Sequence, residues 1–205
     1  MYNCGETRET AIQNISNIVS KDLCKLLETS VSVTFITDTN NSPPEPVFDT
    51  SIYESLEHDN LIPDWILDTT QLSVYEETPE LIKTVTVPES VQHFRSGLLK
   101  SNCRVTNQPD WGDVYIYLLG NKHVLYESML EYIVSFRNEC HFHEEICETI
   151  YKRLSDILNP RELCVTCLYA RRGGIDINPT RASHTHLLPE LLVDSTVMHS
   201  KTQKQ

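Results

Sequence analysis

Apolar positions recur along this chain at two different periods, and the places where the period changes divide it into segments. From about residue 8 to 28, Ile12, Ile15, Val19, Leu23 and Leu26 return at spacings of three and four behind a capping Thr7, which predicts an amphipathic helix. Val31, Val33 and Phe35 then alternate with Ser32, Thr34 and Ile36, the pattern of a half-buried strand. One helix and one strand cannot close a core, so their apolar faces are expected to pack on something else, another chain included. Residues 38–78 lose both periods. Asp38-Thr39-Asn40-Asn41-Ser42-Pro43-Pro44 is loop by composition, and the acidic, proline-dotted stretch beyond it reads as a connector held to a domain surface by Trp65, Ile66 and Leu67.

Beyond residue 80 the pattern sharpens. Leu81, Lys83, Val85 and Val87 alternate weakly, and a strand is expected at 97–106 with Leu99, Ser101, Cys103 and Val105 on one face. A second strand, 113–119, sets Val114, Ile116 and Leu118 opposite Tyr115 and Tyr117, and Gly120-Asn121-Lys122 reads as a turn. Helices follow at 126–137 (Met129, Leu130, Ile133, Val134, Phe136) and 142–158 (Ile146, Ile150, Leu154, Ile157), then a strand from Leu163 to Ala170. Strand, strand, helix, helix, strand predicts an α+β fold: an antiparallel sheet with a helix pair on one face.

Composition narrows the function classes. With 205 residues, 40% apolar and 22% charged, the chain can bury a sizeable core. Its net charge of −12 argues against broad binding to nucleic acid or anionic membrane, leaving Arg171-Arg172 as the one local basic candidate. No apolar run approaches the roughly 20 residues of a membrane span, and the first residues lack the basic flank and apolar stretch of a signal peptide. Seven scattered cysteines fit free thiols in a reducing cytoplasm.

Two clusters could carry chemistry. Cys103 is followed, across the turn Gln108-Pro109-Asp110-Trp111-Gly112, by Asp110, so a sulfur nucleophile and a proton-carrying acid could meet; Lys100 and Arg104 stand near enough in sequence to favour the thiolate. The second cluster is Cys140-His141-Phe142-His143-Glu144 at a helix start. Cys140, His143, Glu144 and Cys147 fall at helical spacings that a zinc ion could use, but the usual ligand-pair spacings are missing and no metal is expected. The other reading is recognition, with Glu144 accepting from the N–H edge of a flat heterocycle. Cys164 and Cys167, three apart on a strand, point to opposite faces and read as core. Arg171-Arg172-Gly173-Gly174 suits an anion or a subunit contact, and no phosphate-loop or dinucleotide fingerprint occurs.

The segments Leu98–Gly112, Val134-Ser135-Phe136-Arg137, Phe142-His143-Glu144 and Arg171–Pro179 closely resemble the C-terminal half of the two-module 7-cyano-7-deazaguanine reductases, the NADPH-dependent nitrile reductases of queuosine biosynthesis. The likeness is dense from about 96 to 181. It implies a tunnelling fold with one complete module, residues 96–181, preceded by a remnant of another at 1–37 and a connector at 38–95, and followed by a tail at 182–205. Cys103 matches the nucleophile that forms a thioimide with the nitrile carbon, and Asp110 the residue that moves protons to the nitrogen. Phe142, His143 and Glu144 match substrate-holding residues, Glu144 reading the pyrimidine edge. NADPH is the implied cofactor, with Arg171, Arg172 and Gly173 expected beside it. The Glu-Ser-Lys-Ser-Phe-Lys type motif of the first module is not found in the chain. A shortened member of the family is therefore expected, working as a homo-oligomer (a dimer) or with the missing half supplied by another chain. The remaining alternatives are an inactive or partner-dependent fragment and a zinc-dependent tunnelling-fold hydrolase of the GTP cyclohydrolase type using Cys103, Cys140 or His143.

Overall fold

The computed structural model describes residues 7–33, 35, 50–57, 61 and 72–188. The chain divides into two units, Met1–Pro44 and Glu45–Gln205, each taken by itself. In the first, α1 (Arg8–Leu27) starts where expected: the Thr10 N–H donates to Thr7 Oγ1 (3.2 Å) and the Thr7 N–H to Thr10 Oγ1 (3.0 Å). It buries no residue, and Ile18 and Leu26 are 58% and 76% exposed. The strand expected at 31–36 does not form over the described residues Val31–Val33 and Phe35. The backbone of Val31 is satisfied by the helix instead: its N–H donates to Cys24 Sγ (3.1 Å) and its carbonyl accepts from Ser20 Oγ (2.7 Å).

The second unit is built on a mixed five-stranded sheet in the order β1 (Glu54–Ser55), β2 (Thr84–Asn102), β3 (Pro109–Val124), β4 (Glu162–Tyr169), β5 (Thr180–Ala182). β1 runs parallel to β2, and every other pair is antiparallel. Two helices, α2 (Tyr126–Ser135) and α3 (His143–Leu158), fill the connection from β3 to β4. The expected strand, strand, helix, helix, strand order is present as β2, β3, α2, α3, β4.

The long strands depart from expectation for a physical reason. β2 is one strand of 19 residues because two bulges, between Thr86 and Ser90 and between Ser96 and Leu99, break its alternation without ending its pairing. At the second bulge the buried parity switches: Gln92, Phe94 and Ser96 are buried before it, Leu99 and Ser101 after it. The Leu98 N–H donates to Ser96 Oγ (3.2 Å), and the Ser96 hydroxyl donates to Glu57. Gly120-Asn121-Lys122 is not a turn. It continues β3, with Gly120 opposite Ser90 and Lys122 opposite Thr86.

Val114, Ile116 and Leu118 of β3 face the helices and pack with Met129, Leu130 and Ile133 of α2 and Ile146, Ile150 and Leu154 of α3, all fully or almost fully buried. Each such side chain contributes about 1.5–3 kcal/mol by leaving water. The Tyr132 hydroxyl and Arg153 Nε both donate to Glu77 (2.9 and 3.0 Å), while the Glu77 N–H donates to Glu139 and the Asn138 N–H to the Tyr75 carbonyl. Residues 75–77 are thereby strapped to the segment that enters the site. Cys164 and Cys167 are buried free thiols, as their spacing suggested. No helix among the described residues is long and apolar enough to cross a membrane.

Candidate active site

β2 ends at Asn102, so Cys103 and Val105 do not lie on a strand face; Cys103 opens the turn to β3 and Val105 is 73% exposed. The turn closes on itself. The Cys103 N–H donates to the Gln108 carbonyl (2.8 Å) and the Asn107 N–H to the Cys103 carbonyl (2.9 Å), with Asn107 in the left-handed region at φ 54°, a conformation asparagine tolerates well. This folding wraps donors around the sulfur. The Thr106 hydroxyl foremost, then the Thr106 and Val105 N–H groups, and the Arg172 charge hold the Cys103 thiol below its ordinary pKa. Lys100 and Arg104, expected to do this, are engaged elsewhere. Lys100 Nζ donates to Asn102 Oδ1 (2.8 Å) and the Arg137 carbonyl (2.6 Å). Arg104 pairs with Glu145 (3.0 Å) and lies over the Phe142 ring, 5.4 Å from its centre.

Asp110 is the second residue of β3, opposite Ser101, and only 5% exposed. A carboxylate so deeply placed needs partners, and it has two among the described residues. Arg172 Nε donates to its Oδ1 at 2.5 Å, and His143 Nε2 lies 3.2 Å from the same atom. His143 is the first residue of α3 and is itself buried. Its ring stacks on Tyr169 with centres 3.9 Å apart and planes 6° from parallel. Gly112 makes room for that tyrosine: a Cβ there would stand 3.0 Å from Tyr169 Cδ1 and 3.1 Å from the Leu168 carbonyl oxygen. Burial pushes the Tyr169 phenol well above its ordinary pKa. The entry to α3 is tied to the nucleophile turn by a parallel bridge between Asn102 and Cys140: the Asn102 N–H donates to the Glu139 carbonyl (2.8 Å) and the His141 N–H to the Asn102 carbonyl (3.1 Å).

Phe142 precedes α3 and is 44% exposed, and its N–H donates to Glu145 Oε2 (2.8 Å). Glu144 is exposed, in the first turn where the helix dipole favours an anion, and its carboxylate makes no hydrogen bond or ion pair within the described residues. Arg171 and Arg172, expected at a cofactor, are both turned to carboxylates of the same domain. Arg171 pairs with Asp176 (2.9 Å) and Arg172 with Asp110. Between Arg172 and Ile175 the chain makes a two-residue turn, each N–H bonding the other's carbonyl (3.1 and 3.0 Å). Gly173 (φ 58°) and Gly174 (φ 80°) supply the two positive angles it requires. Gly173 is therefore a turn residue.

The four candidate zinc ligands are not gathered. Cys147 points into the core, with the Val165 and Pro179 carbonyls each 3.5 Å from its sulfur, whereas Cys140 is exposed beside Asn107. Among the described residues no group of three or more His, Cys, Asp and Glu side chains is placed to hold a metal. Sequence reasoning missed Thr106 as donor to the sulfur, Tyr169 as the platform for His143, and Arg172 as the partner of Asp110. The Gly-Gly pair signalled a tight turn; nothing local signalled where that turn would land.

Residues 109–187 match the family described as QueF-like protein. The NADPH-dependent 7-cyano-7-deazaguanine reductase of Colwellia psychrerythraea is 34% identical over 190 residues, covering 90% of this chain and 62% of the relative. The enzyme of the same name from Psychrobacter cryohalolentis is 53% identical over 96 residues (47% and 34%), and that of Legionella pneumophila strain Corby 37% over 175 residues (84% and 56%). The chain thus spans about three fifths or less of the length of these relatives. An apo crystal structure of the archaeosine synthase QueF-Like matches 47% of this chain and 94% of its own at 20% identity, with a TM-score of 0.41, a likeness too slight to decide the fold. Residues 109–187, which hold Asp110, His143, Glu144 and Arg172, match the QueF-like family, and the chain is similar, over part of their length, to the NADPH-dependent 7-cyano-7-deazaguanine reductases.

Proposed function

We propose that this chain acts on the nitrile of 7-cyano-7-deazaguanine on the way to its aminomethyl product, as an oxidoreductase of tRNA queuosine biosynthesis in the cytoplasm, with residues 96–181 as a tunnelling-fold catalytic module. The observation that carries this reading is the joining of a pKa-lowered thiol and a buried carboxylate by one arginine: Arg172 touches both Thr106, which donates to the Cys103 sulfur, and Asp110. Cys103 gives its proton to Asp110, and the thiolate bonds the nitrile carbon. One π bond of the C≡N group opens, and Asp110 returns the proton to the nitrogen, so the net change is addition of S–H across the triple bond to give a thioimide. Phe142 offers an exposed aromatic face to the flat ring, and Glu144 an uncommitted carboxylate to its N–H edge. His143 lies too deep to serve chiefly as a ring contact and acts through Asp110.

The relatives' names make NADPH the proposed hydride donor for the steps after the thioimide. Arg171 and Arg172 do not fit an open phosphate site, since each guanidinium is already paired within the domain. Mixing the protein with 7-cyano-7-deazaguanine in the absence of NADPH should give an adduct of protein plus one nitrile, seen by intact mass and by a new ultraviolet band. Cys103→Ala should abolish both signals. An adduct that survives this change refutes the assignment.

A further inference from the structure

Arg172 is the side chain whose expected role and observed surroundings differ most. It donates from all three of its nitrogens inside the domain: Nε to Asp110 Oδ1 (2.5 Å), Nη1 to Thr106 Oγ1 (3.2 Å) and Nη2 to the Gln108 carbonyl (3.1 Å). Two of the acceptors, Thr106 and Gln108, come from the turn between β2 and β3, and the third, Asp110, from the strand that follows it. The guanidinium itself sits beside a two-glycine turn that fixes its approach.

We propose that Arg172 is a positioning residue of this site: its planar fork clamps the Asp110 carboxylate to the Cys103 turn, so that sulfur and acid meet the nitrile as one preset pair. The proposal deepens the nitrile-addition reading and rests on it for the identity of the electrophile. Asp110 is almost fully buried, and a polar group so placed costs stability unless donors surround it. With Arg172 removed its one remaining partner among the described residues is His143, itself buried and stacked on Tyr169. The Thr106 hydroxyl is the foremost donor to the Cys103 sulfur, and Arg172 donates to that same hydroxyl oxygen. Thr106 Oγ1 accepts from both Arg172 Nη1 (3.2 Å) and the Gln108 N–H (3.4 Å), which together take its two lone pairs and leave its O–H as the donor to the sulfur. One cation therefore orders the nucleophile's donor and the acid together. Lysine, a single point charge, cannot reach three acceptors spread over a turn and a strand.

The other titratable groups around the pair are His143 from α3, Tyr169 from β4, and Cys140 and His141 from the bridge segment, with Arg104 and Glu145 on the outer side. None of them spans the turn and the strand as Arg172 does.

The test has two arms, each run on the wild-type chain, Arg172→Gln and Arg172→Lys. In the first, without nitrile, alkylation of Cys103 by iodoacetamide is followed against pH by peptide mass. Arg172→Gln should move the alkylation midpoint to higher pH and slow the reaction about tenfold at neutral pH, with Arg172→Lys in between. In the second, formation of the nitrile adduct should slow by about tenfold or more in Arg172→Gln and only partly recover in Arg172→Lys. A residue serving only the fold would leave the pH profile of a folded variant in place, and a phosphate ligand would change only NADPH dependence. Unchanged alkylation and adduct rates in folded Arg172→Gln overturn the proposal; should that variant not fold, an unchanged profile in Arg172→Lys does so. If the wild-type chain forms no adduct, the nitrile reading fails, and the alkylation arm still decides the clamp.

Discussion

The two halves of the site are assembled in opposite ways. Everything that acts on the Cys103 sulfur, apart from the Arg172 charge, comes from the next three residues: the Val105 N–H, the Thr106 N–H and the Thr106 hydroxyl. Everything that holds Asp110 comes from far along the chain, His143 from the start of α3 and Arg172 from the turn after β4. A turn can be formed by local hydrogen bonds before the rest of the sheet exists, whereas the environment of Asp110 exists only after β4 has docked on β3. The nucleophile is thus set by local hydrogen bonds with one tertiary contribution, that of Arg172, whereas the acid is held by tertiary contacts alone. Damage to packing should silence proton transfer before it silences the thiol.

The largest effect expected from breaking this comparison is that of Asp110→Asn. The amide occupies nearly the same space but carries no proton to deliver, so adduct formation should fall by about 10²–10⁴-fold, the range ascribed to a single general acid–base. Removing a negative charge near the sulfur leaves the thiolate no less favoured. Iodoacetamide should therefore still alkylate Cys103 at least as fast as in the unmutated chain. Parallel loss of both reactions would show that the halves are not separable and that Asp110 mainly supports the turn.

Thr106→Val probes the other half and should have a smaller effect. It deletes the foremost hydrogen bond to the sulfur while keeping the branched shape and the backbone N–H groups. The thiol's pKa, held low by that donor, should rise towards its ordinary value of about 8.5, so the alkylation midpoint moves to higher pH. Adduct formation at neutral pH should slow several-fold, and the deficit should close as the pH is raised through the new midpoint. A deficit independent of pH would place the role of Thr106 in anchoring Arg172, not in activating the sulfur.

The same division explains what could be read from the sequence. The order of β2, β3, α2, α3 and β4 was legible because apolar periodicity marks each one, and Cys103, Asp110 and His143 were singled out by chemistry that local segments display. The length of β2 was not legible, since the bulge after Ser96 switches the buried parity from Ser96 to Leu99 and erases the alternation a reader counts. Gly120 misled because glycine permits a turn without requiring one; here its backbone stays extended opposite Ser90. Val31 to Val33 carried a strand's pattern, yet α1 side chains took the backbone groups a neighbouring strand would have used. Arg172 shows the deepest limit. Asp110 stands 62 positions away from it, and the antiparallel pairing of β3 with β4, which reaches Gly112 and Tyr169, brings the two strand ends together.

Tyr169→Phe should have the smallest effect, and it separates the ring from its hydroxyl. The ring stacks on His143 and so indirectly steadies the partner of Asp110. The hydroxyl and its neighbour Ser101 Oγ are both buried, and neither completes a well-formed hydrogen bond. A buried hydroxyl without a full partner has already lost its water, so deleting it should change stability by no more than about 1 kcal/mol in either direction. The phenylalanine ring keeps the stacking surface, and the adduct should form at close to the normal rate. Thermal unfolding and the adduct assay together check this. A tenfold slower adduct with an unchanged melting temperature would mean that the hydroxyl sits on the route by which protons reach Asp110 through His143, whose Nδ1 is likewise buried without a partner among the described residues. The tertiary half of the site would then extend one layer deeper into the sheet.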